Sequence, residues 1–243
     1  MYVNFIVMKV AVLGTGMVGR AHAAKLVELG HDVVMGTKDV TKTMAETKAD
    51  SMGNPPFRVW HKKHDKVKLA TFSEAAKHGE IIWEALNGAA AVEVLKALEN
   101  DLGDKILIDI ANPLDFSKGM PPSLFVCNTD SLGEQIQRAL PKVKVVKAFN
   151  TMNAYLQVDP RQLAGGDHHL IVSGNDASAK AQVIKIAKEW YGWEHVIDLG
   201  DITTSRGTEM ILAIWIRLWG ALKTPMFAFK IVTGTPLPTK ATP

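Results

Sequence analysis

The sequence predicts an α/β protein built on a mostly parallel sheet with helices on both faces. Three observations carry this. Short apolar segments that read as buried strands alternate with segments of helical period along most of the chain. The first strand runs into Gly14-Thr-Gly-Met-Val-Gly19, three glycines spaced for a tight strand-to-helix turn. Six strand-like segments precede residue 150, at 9–13, 32–35, 66–70, 80–86, 105–110 and 144–149, which suits a doubly wound Rossmann-type sheet.

The elements follow in order. After the strand at 9–13, residues 17–29 read as a helix, with Val18, Leu26, Val27 and Leu29 at helical spacing and Gly30 closing it. Residues 40–49 read as a helix capped by Asp39. Residues 50–65 carry Gly53, Pro55 and Pro56 and read as an insertion loop. Helices are expected at 73–78, 89–98 and 132–140, with a long loop through Gly119-Met-Pro-Pro122. Beyond residue 150 come a strand at 169–173, a helix at 177–191, a strand at 195–199 and a long apolar helix at 204–222. The expected organisation is a Rossmann domain at 8–150, a smaller C-terminal α/β domain at 151–232 ending in that helix, and a disordered tail at 233–243 with Pro236, Pro238 and Pro243.

Composition narrows the function classes. The chain has 243 residues, 47% hydrophobic and 22% charged, an ordinary globular balance with room for a large core. A net charge of +3, with the basic run His61-Lys-Lys-His-Asp-Lys66 reading as a solvated loop, gives no nucleic-acid footprint. One cysteine, Cys127, rules out an internal disulfide and fits a reducing cytoplasm. The first seven residues lack the basic start and cleavage site of a signal peptide and read as an extension or alternative start. The stretch from Met210 to Leu222, broken by Arg217 and Gly220, is short of the ~20 apolar residues that span a membrane. Neither His61 and His64 nor His168 and His169 has the partners of a metal site, so none is expected.

The glycine turn has the context of a dinucleotide site. Gly14 permits the turn, Gly16 lets backbone approach a pyrophosphate, Gly19 lets helix and strand pack closely, and the helix from Met17 offers N–H groups to phosphate. The cofactor is read at the end of the second strand, where an NAD site places an acidic residue. Here stands Gly36-Thr37-Lys38, with Lys42 one helical turn on. Thr37, Lys38 and Lys42 suit the 2′-phosphate of NADP, with Asp39 turned to the helix backbone as its cap.

Two later segments bring a family into view: Lys147-Ala-Phe-Asn-Thr-Met-Asn-Ala154 and Asp198-Leu-Gly-Asp-Ile-Thr-Thr-Ser-Arg-Gly-Thr-Glu209. With the glycine turn and the Gly-Thr-Lys segment, they make the chain resemble, from about Met8 to Val232, the NADP oxidoreductases dependent on 8-hydroxy-5-deazaflavin (coenzyme F-420). The resemblance implies a nicotinamide lying against a deazaflavin ring in a cleft between two domains. It implies that Thr15, Gly16, Met17 and Val18 form the pyrophosphate loop, and that Thr37, Lys38 and Lys42 hold the 2′-phosphate. It places Leu86, Asn87 and Asn112 along the cofactor, and Asn150, Thr151 and Met152 beside the nicotinamide. Ser205 and Arg206 join the expected cofactor-binding set; for Arg206 an acidic deazaflavin tail and an interdomain anchor stand as equal readings, and Arg217 is a further cation for that tail. This chain has Asn150-Thr-Met-Asn153 where archaeal members read His-Thr-Ile-Pro. Phe149-Asn-Thr-Met-Asn-Ala154 is at least as similar to the related domain of membrane metalloreductases, so FAD or FMN stands beside the deazaflavin as acceptor.

Ring-to-ring hydride transfer asks for alignment and exclusion of water more than for an acid–base pair. Lys147 therefore reads as structural and Glu84 as a hydrogen-bonded carboxylate near the cleft, and no catalytic side chain is assigned. The Trp-rich stretch Ile214-Trp-Ile-Arg-Leu-Trp-Gly220 reads as core or homodimer interface. The expected function is hydride exchange between NADP(H) and a deazaflavin. A flavin or ferric reductase, a small-substrate dehydrogenase and a non-catalytic NADP sensor are the alternatives.

Overall fold

The computed structural model describes residues 7–50 and 53–234. The reading of residues 1–6 as an extension, and the tail from residue 235, lie outside the described residues; Thr233 and Gly234 carry no regular structure.

The chain runs through β1 (Lys9–Leu13), α1 (Met17–Glu28), β2 (Asp32–Thr37), α2 (Val40–Ala45), α3 (Phe57–His61), β3 (Lys68–Thr71), α4 (Phe72–His78) and β4 (Ile81–Glu84). It continues through α5 (Gly88–Ala97), α6 (Glu99–Leu102) and β5 (Ile106–Asp109), then a hairpin of β6 (Leu114–Asp115) and β7 (Ser123–Leu124). After α7 (Leu132–Ala139) and β8 (Lys144–Lys147) come α8 (Ala154–Val158), β9 (His169–Gly174), α9 (Ala177–Tyr191), β10 (His195–Gly200) and α10 (Ser205–Leu222).

Eight strands form one sheet in the order β10-β9-β8-β5-β4-β1-β2-β3. From β3 to β8 the neighbours are all parallel, which is the expected doubly wound order. Side chains alternate across it. Val10 and Val12 enter a core with Trp83, Ile108 and residues of α1 and α9, while Ala11 and Leu13 enter a second core with Leu95, Leu107 and Leu132. Helices therefore cover both faces, and the central strands are apolar on both faces except at their end residues, rather than alternating.

Several expectations change. The strands assigned to a small C-terminal domain build no sheet of their own. β9 pairs antiparallel with β8, β10 pairs parallel with β9, and both extend the same sheet. The edge of β8 presents unpaired backbone groups, and β9 satisfies them. Gly174 makes the approach possible, since a Cβ there would stand 2.8 Å from the Val145 carbonyl oxygen. The C-terminal part also does not end in an apolar helix. α10 buries Ser205, Thr208 and Glu209 beside Leu212, Trp215 and Ile216. The chain then turns at Lys223 (φ 58°) and returns, stacking Phe227 on Trp215 at 5.1 Å and accepting at the Phe229 carbonyl from the His169 N–H at 3.1 Å. No described helix is long and apolar enough to cross a membrane. Within the insertion, α3 carries Trp60, whose ring stacks on that of His64 just beyond the helix at 4.4 Å. The short α8, unanticipated in the sequence, starts where Asn153 Oδ1 accepts from the N–H groups of Tyr155 and Leu156.

A buried polar contact ties these later helices to α1. His22 of α1 is fully buried, with Nε2 2.9 Å from Gln157 Oε1 of α8 and Nδ1 2.8 Å from the Tyr191 hydroxyl of α9. Gln157 donates its amide to the Met152 carbonyl, so its oxygen faces His22. His22 thus donates from Nε2 and accepts at Nδ1, the neutral form. Burial lowers its pKa to about 4, against the partial opposition of the Gln157 bond. The unfolded chain takes up a proton near pH 6.5 that the folded chain refuses. This contribution is complete above about pH 6.5 and is lost as pH falls toward about 4, on the order of 3 kcal/mol. Urea unfolding midpoints across that range should fall more steeply for the natural chain than for His22→Gln. Equally steep acid limbs would remove His22 from this role.

Candidate functional site

A crevice opens at the C-terminal ends of the parallel strands, where the order reverses between β1 and β4. Its first wall is the β1–α1 turn. Gly14 sits at φ 117°, and a Cβ there would overlap the Ala85 carbonyl oxygen; a Cβ on Gly19 would overlap that of Gly14. Gly16 differs: its φ is −73° and an added Cβ would meet nothing within 4 Å. The space over Gly16 is open, as close approach of a pyrophosphate requires. α1 begins there with no side-chain cap and no acidic residue in its first turn, which leaves its N-terminal N–H groups to an anion. Thr15, Met17 and Val18 complete the turn, with Val18 facing the neighbouring cavity.

One end of the crevice is cationic. Thr37, buried at the end of β2, shares a 2.8 Å hydrogen bond with Thr43. Lys38 and Lys42 are exposed, and neither is held in an ion pair among the described residues. Asp39 turns to the helix, as expected, and accepts from the Lys42 N–H at 2.8 Å. A cavity of about 410 Å³ opens here, with Thr15, Arg20, Lys42 and Thr43 on one side and Lys48 and the insertion's Phe57 on the other; Glu46 and Asp50 also line it, so its three cations stand with two acids. Arg20 joins the two sides. Its guanidinium donates to the carbonyls of Thr15 at 2.8 Å and Pro55 at 2.6 Å and lies 5.5 Å from the Phe57 ring centre. Sequence reasoning missed Arg20, Thr43 and Lys48. The one available signal was Arg20 directly after the last glycine of the turn.

The other end is uncharged at its surface. A cavity of about 180 Å³ is lined by Val18, Leu86, Asn87, Ala111, Asn112 and Phe116, among others. Asn87 accepts at Oδ1 from the Ala89 N–H and so caps α5. Asn112 and Asn150 are paired: Asn112 Nδ2 donates to the Asn150 carbonyl and Asn150 Nδ2 to Asn112 Oδ1, both at 2.9 Å. Asn150 Nδ2 also reaches the Thr208 carbonyl of α10 at 3.2 Å, while its buried Oδ1 has no partner among the described residues. Phe149 aims this segment. It sits at φ 64°, a conformation that costs a non-glycine residue about 1–3 kcal/mol, and its buried ring packs on His22 and Tyr191, each at 5.6 Å. Thr151 is buried beside Asn150, and the Met152 side chain joins the core.

Ser205 and Arg206 are placed otherwise than expected of cofactor ligands. Ser205 is fully buried, 2.7 Å from Ser131 Oγ and donating to the Ile202 carbonyl. Arg206 makes a two-point pair with Glu134 of α7, at 2.8 and 2.6 Å, which holds the Glu134 carboxyl below its usual pKa. Both fasten α10 to α7, the anchor reading. Arg217 donates to the Ala213 carbonyl of its own helix.

Beneath the uncharged cavity lies a charged cluster. Glu84, Asp109 and Lys147 are the last residues of β4, β5 and β8, in direct register and none exposed. The Lys147 ammonium meets Asp109 and Glu209 of α10 at 2.8 Å each and donates to the Ala111 carbonyl at 2.7 Å. Burial works against its charge, but the two carboxylates outweigh it and hold its pKa above the ordinary value. Glu84 fares differently. Among the described residues it accepts only from the Leu86 N–H, and burial, then the Asp109 charge, push its carboxyl well above the usual range. No group of three His, Cys, Asp or Glu among the described residues could hold a metal ion.

Known proteins resemble this chain along most of its length. A family model described as NADP oxidoreductase, coenzyme F420-dependent matches residues 9–113. The crystal structure of a candidate F420-dependent NADP reductase from Arthrobacter sp. FB24 is 55% identical, with a TM-score of 0.88, covering 93% of this chain and all of the other. The F420-dependent NADP reductase of Methanocaldococcus jannaschii is 28% identical over 216 residues, 87% of this chain and 92% of that protein. The metalloreductase STEAP3 of Rattus norvegicus is also 28% identical, but over 219 residues that make up only 38% of its length.

Two of the three glycines predict separable defects. Gly16→Ala should fold with an unchanged melting temperature yet bind dinucleotide at least about tenfold more weakly. Gly19→Ala should lower the melting temperature itself. Calorimetry with and without ligand tells them apart, and a Gly16→Ala chain that binds normally would show that no phosphate approaches there.

Proposed function

The chain belongs to the family of NADP oxidoreductases dependent on coenzyme F420, and from that premise we propose that it exchanges a hydride between NADP(H) and F420. The observation that carries this reading is the contrast between the two ends of the crevice. One end has an uncapped helix start and two lysines without an ion pair among the described residues. The other has a small cavity without charge at its surface, lined by Asn87 and Asn112, with Asn150 hydrogen-bonded to Asn112 behind it.

In this reading the N–H groups at the start of α1, with Thr15, Gly16, Met17 and Val18, take the pyrophosphate. Thr37, Lys38 and Lys42 take the 2′-phosphate, and Arg20 props the insertion against that end. Leu86, Asn87 and Asn112 line the nicotinamide half. The unpartnered Asn150 Oδ1 is a hydrogen-bond acceptor held ready beside Thr151 and Met152. The two cofactors supply the hydride chemistry when bound. The chain aligns them and keeps water out, and needs no acid at the ring, in keeping with a Glu84 carboxyl that is itself fully buried. Residues 8–150 form the NADP-binding unit and residues 151–232 cover the acceptor.

The outer face of α10 is assigned to a second copy of the chain. Met210, Ile214 and Leu222 are exposed there beside the small residues Gly207, Ala213 and Gly220. A cavity of about 500 Å³ between Met120-Pro121 and Ile216-Trp219 adjoins them.

NADPH should bind about tenfold or more tightly than NADH, and Lys38→Ala should remove most of that preference. Equal dissociation constants for the two would exclude a 2′-phosphate site. Mixed with NADPH, the protein should reduce F420; turnover with FMN or FAD alone would move the assignment to a flavin reductase. Ile214→Arg should convert a dimer to a monomer in light scattering without loss of fold, and a natural chain already monomeric would refute the α10 interface.

A further inference from the structure

The buried cluster under the nicotinamide half has a charge problem that the fold solves only in part. Three carboxyl groups, from Glu84, Asp109 and Glu209, share one ammonium, that of Lys147. Glu209 is well compensated: beside Lys147 it accepts from the N–H groups of Leu132 and Gly133, at 2.8 and 3.0 Å, at the start of α7. Asp109 has Lys147 and the Ala111 N–H at 3.0 Å. Glu84 has one backbone N–H, that of Leu86, and the Asp109 carboxylate beside it in register. Glu84 and Asp109 are both fully buried, and neighbouring buried carboxyls do not both ionise, so a proton stays on Glu84. Asp109, Lys147 and Glu209 are the charged groups that face it from β5, β8 and α10.

The pair is one backbone layer from the cavity. The Leu86 N–H that Glu84 accepts, and the Ala111 N–H and carbonyl that Asp109 and Lys147 hold, belong to residues that line it. An added positive charge in that cavity acts on Glu84 through dry protein, where screening is weak. The two redox states of nicotinamide differ by such a charge, since the oxidised ring is a cation and the reduced ring is neutral.

We propose that Glu84 is a positioning residue whose proton is linked to the redox state of the nicotinamide, so that the chain favours oxidised over reduced cofactor increasingly as pH rises. This rests on the reading of the crevice as an NADP(H) site. The balance is simple: the cation favours the ionised pair, a proton leaves to solvent as NADP+ binds, and none leaves as NADPH binds. By linkage, affinity for NADP+ rises with pH relative to that for NADPH. Protonation of the 2′-phosphate is common to both forms and cancels in their ratio.

Dissociation constants for NADP+ and NADPH, measured by equilibrium titration from about pH 6 to about pH 9, test this. The ratio of the NADPH constant to the NADP+ constant should rise about three- to tenfold over that range in the natural chain, and stay flat in Glu84→Gln, which keeps the size and an acceptor for the Leu86 N–H. A flat ratio in the natural chain, or a slope that survives Glu84→Gln, overturns the linkage while the NADP(H) site stands. Failure of either cofactor to bind overturns both. If Glu84→Gln does not fold, the infrared difference spectrum of the natural chain between its NADP+ and NADPH complexes decides. The carbonyl stretch of a protonated carboxyl should weaken on the NADP+ side, and an unchanged band refutes the proposal.

Discussion

Lys147 is fully buried at the end of β8, and its ammonium reaches three acceptors on separate pieces of chain: Asp109 at the end of β5, the Ala111 carbonyl just past it, and Glu209 in α10. Glu209 in turn accepts from the first N–H groups of α7. One cation thus fixes the strand ends, the start of α7 and the inward face of α10 relative to one another. An arrangement of this kind cannot lose one member cheaply. Removing one partner of a buried pair costs about 3–5 kcal/mol, because it strands the remaining charge without water. Asn112, Asn150 and Thr208 are hydrogen-bonded in the layer just above, so the shape of the cavity follows from where Lys147 holds its neighbours.

The two ends of the crevice use charge in opposite ways. Lys38 and Lys42 stand in solvent, where attraction to a phosphate is screened and depends on salt. The Glu84–Asp109–Lys147–Glu209 cluster is sealed, and its charges act over short distances with little screening. An exposed cation can recognise an anion that arrives already charged. A buried acid pair can respond to a change of charge in a ligand that it never touches. On the proposed reading, binding of the cofactor and sensing of its redox state fall to different residues on opposite sides of the strand switch point.

Much of the fold was legible because it depends on short-range pattern. The strand that runs into Gly14, the helix from Met17 and the capped helix after Asp39 follow from apolar period, glycine spacing and a cap residue. The position of Thr37, Lys38 and Lys42 at the end of the second strand was legible for the same reason, since all lie within a few residues of a predictable strand end. α3 and α8 were not, because each is a five-residue helix too short to show a period. Ser205 and Arg206 were assigned to a ligand because the sequence carries no sign of Glu134 or Ser131, more than sixty residues away, which the fold brings within hydrogen-bonding distance of them.

The sequence by itself determined the doubly wound sheet, the glycine turn and a cationic end without an acidic ribose partner, because local chemistry specifies each. Only the tertiary structure decided that the C-terminal strands extend the same sheet, through a pairing across the β8 edge that no local signal encodes. Only it set three carboxyls against one ammonium. Glu84, Asp109, Lys147 and Glu209 are scattered over the chain and meet because parallel strands in register bring their last residues side by side. Their charge states then depend on distance and burial, which exist only once the chain has folded.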